Sequence, residues 1–207
     1  MEQFLIMTIS LAIDTATSRT TVGVVENGVV VFEEFHEGAT DHGTAISQLV
    51  ARALKSTKLV DQVVIGMGPG PFTGLRVGIT FAQSFALARS IPWIGVCSLD
   101  AIRIDSTTRY DQIVSSQDSN LQTKAETINV DDYTVAIDAR RKQMYWASYK
   151  NGVRVLGPSV DKPEDIAIYV TNVYPDVRKL VELSSTQNVR EPIYLRSPDA
   201  IPTAERK

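Results

Sequence analysis

The 207-residue sequence is poor in the residues that carry redox, metal and nucleophilic chemistry, with one cysteine and two histidines. A single thiol excludes an internal disulfide framework, and the place of Cys97 in the apolar run Ile94-Gly95-Val96-Cys97 marks it as a packing residue. His36 and His42 are not spaced to stack on one helical face as an H-x-x-x-H zinc pair would be, so no metal site is expected. There is no G-x-S-x-G elbow and no H-E-x-x-H helix, which leaves proteolysis without support and no residue expected to be catalytic. No stretch approaches the roughly 18 uninterrupted apolar residues of a membrane span. Met1 to Ile6 carries Glu2 where a signal peptide would be basic, so a cytoplasmic protein without membrane association is expected. A basic excess is also missing. With 21 Lys and Arg against 24 Asp and Glu, the net charge of -3 provides no footprint for a polyanion, and contact with RNA would have to come through another chain.

What is present begins with 43% apolar residues, enough for one moderate core or two small lobes. The run from Gly66 to Arg76 (GMGPGPFTGLR) follows the apolar Val63 to Ile65 and opens into an apolar-periodic segment, which predicts a strand-loop-helix corner. It resembles a phosphate cradle without the parts of one. A phosphate loop of the G-x-x-x-x-G-K-[ST] kind ends in lysine and aims backbone N–H groups at the anion; here there is no lysine, and Pro69 and Pro71 have no N–H to donate. The corner is expected to build structure or an interface.

Phe4 to Ile13, Thr20 to Glu26 and Val29 to His36 read as a three-strand meander, with Asn27-Gly28 as a tight hairpin turn. Ile46, Leu49, Val50, Ala53 and Leu54 then form one stripe of an amphipathic helix. A strand is expected over Gln62 to Met67 and a second helix over Thr73 to about Ser90, apolar nearly all round and ended by Pro92. Trp93 to Cys97 predicts a strand and Leu99 to about Tyr110 a helix. From Ser115 to Asp132 the composition turns polar, as in a connector, which sets the expected lobes at 1–114 and 133–207 with the linker at 115–132. Beyond it the opening phrase returns. Leu11-Ala12-Ile13-Asp14 leads to Asn27-Gly28, and Val135-Ala136-Ile137-Asp138 leads to Asn151-Gly152 at the same offset, which suggests two lobes on one plan.

Two lobes that each start with a strand, an aspartate and a hairpin resemble the actin-like ATPase superfamily, an α/β fold built from a duplicated mixed-sheet unit. Five phrases in order carry a closer resemblance: Ala12 to Thr17 (AIDTAT), Gly68 to Gly78 (GPGPFTGLRVG), Ile91 to Asp100 (IPWIGVCSLD), Ile137 to Arg141 (IDARR) and Tyr194 to Ala200 (YLRSPDA). They are similar to those of the TsaB family, the dimerisation subunit of the bacterial tRNA threonylcarbamoyladenosine (t6A) machinery. The resemblance implies a non-catalytic scaffold without a cofactor, which pairs with the paralogue TsaD and helps recruit the ATPase TsaE. TsaD transfers the threonylcarbamoyl group to N6 of adenosine 37, and tRNA is met only through the complex. When TsaD is absent, a homodimer through the same helices is the alternative state.

The family pairs with TsaD through the first two helices of the N-terminal lobe. The resemblance therefore points to helices 43–55 and 73–90 and to His42, Ile46, Leu49, Val50, Ala53, Arg76, Gly78, Ala82 and Phe85 as the partner interface. Where a TsaD-like protein has H-x-x-x-H, this chain has His42 followed by Ile46, and Ile46 cannot bind a metal. Asp14, Thr15, Thr17 and Asp138 take the places of the phosphate loops. Ala16 stands where D-x-G-T would supply glycine, and Asp138-Ala139-Arg140-Arg141 is bulky, so these positions read as vestigial. Asp14 could instead bond the backbone of its own turn. Arg140 and Arg141 fit a tRNA phosphate, a partner carboxylate or a solvated turn alike. Arg76, in the first turn of its helix, calls for a carboxylate or an interface because the helix dipole there disfavours a cation. Two departures from the family stand out: Pro163 to Leu183 reads as adjoining helical segments where the family has an extra strand, giving a shortened second lobe, and the connector is long. The rival reading is an actin-like ATP-dependent enzyme or a glycoprotease-like metallopeptidase resting on Asp14, Asp138 and the repeat.

Overall fold

A computed structural model describes residues 8–57, 59–104, 113–115 and 131–196. Strands β1 (Ile9–Asp14), β2 (Arg19–Glu26), β3 (Val29–Glu37), β4 (Gln62–Gly66) and β5 (Trp93–Val96) form one mixed sheet in the order β3-β2-β1-β4-β5. Helices α1 (His42–Ser56) and α2 (Phe72–Arg89) are the connections that make β1, β4 and β5 parallel. A second sheet takes β6 (Ile113–Ser115), β7 (Asp132–Asp138), β8 (Met144–Lys150), β9 (Val153–Asp161) and β10 (Ile168–Val170) in the order β6-β10-β7-β8-β9. Helix α3 (Val177–Leu183) follows.

The sequence repeat becomes a repeat of topology. Read from the other edge, β9-β8-β7-β10 reproduces β3-β2-β1-β4: two antiparallel hairpins, then a parallel partner for the strand that ends in aspartate. Both Asn-Gly turns have positive φ at both residues, 49° and 79° at Asn27-Gly28 and 50° and 73° at Asn151-Gly152. That backbone twist suits a two-residue hairpin, and Asn and Gly tolerate it best.

Strand β1 is buried on both faces, which explains its unbroken apolar run. Leu11 and Ile13 pack with α1 and α2, while Ala12 faces Val177 and Leu180 of α3 on the opposite side. The chain thus returns from the second sheet to cover the first. In the second half, Val135, Ile137, Tyr145 and Ala147 pack against Leu99, Ile102 and Ile104, the segment that leaves the first sheet.

Three expectations change. The helix read from Leu99 to about Tyr110 is only a short 3-10 turn at Leu99–Ala101, because Ile102 turns extended to bridge Pro175 and the Ala101 carbonyl accepts from the Asp176 amide at 3.0 Å; residues 105–112 lie outside the described residues. Between Pro163 and Leu183 the chain has the strand β10, which pairs with β7 and β6, rather than adjoining helices. The segment is short and flanked by turns, so its periodicity did not distinguish strand from helix. The polar linker lies mostly outside the described residues, but β6, which precedes most of it, belongs to the second sheet.

The third change concerns the helices. Ile46, Leu49, Val50 and Ala53 are at most 3% exposed and belong to the same core as Leu11 and Ile13. Leu49→Ala is expected to lower unfolding stability by about 2–5 kcal/mol through a core cavity, and Gln48→Ala, on the exposed side of the same helix, by less than about 0.5 kcal/mol; urea titrations of both variants measure the contrast.

Candidate functional site

The turn after β1, expected from the resemblance to be a vestigial phosphate loop, is filled by protein groups. Asp14 is buried, its Oδ1 accepts from the Ala16 amide at 2.8 Å and its Oδ2 from the Ser98 hydroxyl at 2.6 Å. Ser98 Oγ in turn accepts from the Gly68 amide at 3.1 Å, and the Ser98 amide donates to the Gly68 carbonyl at 2.8 Å. Any Cβ on Gly66 would collide with the Asp14 carboxylate, so only glycine fits behind it. Burial pushes the Asp14 pKa from 3.8 up to about 6, although the hydrogen bonds from Ser98 and Ala16 pull it down. Thr15 donates to the Gly74 carbonyl of α2 at 2.8 Å, and a Cβ on Gly70 would strike the backbone of Ala16. The glycine-rich corner and the Thr15 to Thr17 turn are therefore packed directly on each other.

Thr17 and Asp138 do come together, lining one cleft between the two sheets with Ser18, Pro71 and Arg140. The cleft holds about 100 Å3, well under the roughly 300–1,000 Å3 of ordinary small-molecule pockets. Asp14 does not line it. Asp138 instead caps the next turn, accepting from the Arg140 amide at 2.8 Å, the same bond that Asp14 makes to Ala16. Arg140, Arg141 and Lys142 follow with φ of 63°, 52° and 59°. Arg196 donates to the carbonyls of Ala139 and Arg140 and so fixes that turn.

Of the nine residues expected at a partner interface, seven face inward. Gly78 and Ala82 join Ile46, Leu49, Val50 and Ala53 in the interior, Gly78 lying against the Thr15 side chain. His42 is buried with Nδ1 at 2.7 Å from Thr20 Oγ1, and burial holds its pKa below 6.5. The apolar stripe thus covers this chain's own sheet rather than standing open to a partner. Arg76 is exposed and Phe85 half-buried. On the outer side an open, mainly apolar groove of about 450 Å3 is lined by Arg76 and the edge of Ile46, both expected, together with Gly43 of α1 and Val77, Thr80 and Phe81 of α2, which the sequence reading missed. The signal was present in α2, where Arg76 and Thr80, and Val77 and Phe81, each stand one turn apart, but an all-round apolar helix hides which face is outward.

A family profile described as "TsaD: tRNA N6-adenosine threonylcarbamoyltransferase" matches residues 36–196. The tRNA threonylcarbamoyladenosine biosynthesis protein TsaB of Escherichia coli (strain K12) is 34% identical over 155 residues, 69% of this chain and 57% of that protein. This chain belongs to the TsaB family. The protein Rv3421c of Mycobacterium tuberculosis (strain H37Rv) is 35% identical over 223 aligned positions, 94% of either chain. Against ML0378 of Mycobacterium leprae the identity is 39% over 168 residues, and the chain spans 40% of that protein's length. Among solved structures, a Pseudomonas aeruginosa protein with similarity to peptidase YEAZ superposes with a TM-score of 0.68 at 22% identity, over 92% of this chain and 100% of that one. This likeness shows that the two chains share the two-sheet α/β fold. Among the described residues no helix is long and apolar enough to cross a membrane.

The raised Asp14 pKa has a definite pH consequence. The folded state holds this proton more tightly than the unfolded one, so the stability it contributes is full below pH 3.8 and is lost as pH rises through about 6. Asp14→Asn, which keeps an acceptor for Ala16, is expected to gain up to about 3 kcal/mol over the wild type at pH 7.5 and to match it near pH 4, in denaturant titrations at both pH values.

Proposed function

We propose that this TsaB-family chain serves t6A synthesis as a non-catalytic subunit that pairs with TsaD through the outer side of α1 and α2. The observation that carries the reading is the state of Asp14. An actin-like phosphotransferase needs that carboxylate free at the cleft, whereas here it is buried and held by Ser98 and Ala16. The cleft beside it holds about 100 Å3, below the ordinary range of small-molecule pockets. Two relatives named as TsaB and the matching TsaD profile supply the process. TsaD, TsaE and, through them, tRNA are the partners in this reading, and the chain acts in the compartment where tRNA is modified.

The groove between Gly43 and Phe81 supplies the contact surface. Standard interfaces bury on the order of 1,600 Å2 in all, and two exposed helix faces of this length are adequate to contribute a subunit's share. Placing the contact on the outer face also changes which substitutions report on it. Leu49→Arg and Ala82→Arg bury a charge in the core, so they test folding.

The test is reconstitution of tRNA threonylcarbamoylation from purified TsaD, TsaE and this chain. Activity is expected to require the chain and to survive Asp14→Asn within about twofold. Thr80→Arg, on an exposed groove residue, is expected to reduce complex formation at least tenfold, equivalent to about 1.4 kcal/mol, with its circular dichroism unchanged. Full activity without the chain, or ATP turnover by the chain alone that Asp14→Asn abolishes, overturns the reading.

A further inference from the structure

After α3 the chain runs along the first half once more before it reaches the second. Gln187 donates to Asp100 at 2.7 Å, the Val189 amide donates to the Gly95 carbonyl of β5 at 2.7 Å, and the Ile193 amide donates to the Met67 carbonyl, just past β4, at 2.8 Å. The Arg190 guanidinium lies over the Trp93 ring at 5.1 Å, and the Tyr194 ring packs on Phe72 at 4.8 Å. Two glycines make the room. A Cβ on Gly95 would strike the Val189 carbonyl, and one on Gly68, whose φ is 94°, would meet Leu75 and the Ile193 carbonyl. At Ile193 the attachment changes sides: its amide is held by Met67, while its side chain and that of Leu195 pack against the core that includes Val135 and Ile137. Arg196 then donates to the Ala139 and Arg140 carbonyls, in the turn that follows β7.

We propose that residues 187–196 are a clasp that locks the two halves together across the cleft, so that this chain works as one rigid body and not by opening and closing. Two-lobed folds hinge where the chain crosses between lobes, and relative motion is the default where little else connects them. Among the described residues the chain crosses at 99–104 and returns at 171–176. The Asp100 knot sits on the first crossing, and residues 171–174 line the cleft on the second. Bonds at a crossing turn with the hinge. The clasp instead reaches from the corner at Gly68 to the turn at Arg140, and Pro71 and Arg140 line the cleft from its two sides. Widening the cleft therefore requires Arg196 to leave two carbonyls, and Ile193 and Leu195 to leave an apolar core. The clasp keeps the cleft near its 100 Å3, independently of the pairing proposed above.

Spin labels on Gln48→Cys in α1 and Lys150→Cys at the end of β8 report the separation of the halves by double electron–electron resonance. Both positions are exposed and lie on regular elements outside the clasp, and Cys97 is buried away from the label. The doubly labelled chain is expected to give one narrow distance distribution. Arg196→Ala, which removes bonds to the second half only, is expected to broaden it by about twofold or more, as the chain samples open states. Arg190→Ala removes a contact to the first half only and is expected to leave the width unchanged. Leu195→Ala, which thins the clasp against the second core, is expected to broaden the distribution in the same direction, and it decides the matter if circular dichroism shows that Arg196→Ala does not fold. A distribution as broad with the clasp intact as in Arg196→Ala overturns the proposal. So does an unchanged width in Arg196→Ala, or in Leu195→Ala where that variant decides.

Discussion

The first half of the molecule closes on one buried carboxylate. Strands β1, β4 and β5 run parallel and end side by side, and there Asp14 accepts from Ala16 and Ser98 while Ser98 exchanges two hydrogen bonds with Gly68. Three chain segments far apart in sequence are thereby joined by direct hydrogen bonds. The glycines of the corner are consequences of this closeness: Gly66 leaves room for the carboxylate, Gly70 for the Ala16 backbone and Gly78 for Thr15. A buried polar network is stabilising only when each member is satisfied, and among the described residues no buried side-chain nitrogen or oxygen lacks a partner. The price is the raised pKa of Asp14.

A second knot joins the halves. Asp100 accepts from the Tyr149 hydroxyl at 2.8 Å and from Gln187 at 2.7 Å, and it pairs with Arg154 at 3.2 Å. It thereby links the exit from the first sheet to β8, β9 and the segment after α3. Arg154 also donates to Cys97 Sγ at 3.1 Å, and burial with the nearby Asp100 pushes that thiol up to about 11, so it stays protonated and inert. The same tail runs along the outer edge of β5, where the Val189 amide donates to the Gly95 carbonyl at 2.7 Å. An edge strand covered in this way is withdrawn from pairing with other chains.

With the Asp14 turn packed and the inner helix faces committed to the first sheet, the outer face of α1 and α2 stays open to solvent. One helix pair thus divides its labour by side: Leu49 and Ala82 hold the fold, and Arg76 and Thr80 meet the exterior.

Hairpins, helix periods and the phrase that recurs at Asp138 were legible in the sequence because they depend on neighbours a few residues apart. The Asn-Gly turns and the stripe of α1 belong to that local order. Strand β10 and the early end of the helix at Ala101 were not legible, since pairing with β7 and with Pro175 decided them over distances that periodicity does not cover. The direction of the Ile46 to Ala53 stripe was equally hidden. An apolar stripe states that something must cover it, and only the tertiary structure shows that the cover is the chain's own β-sheet, which leaves Arg76 on the side that faces out.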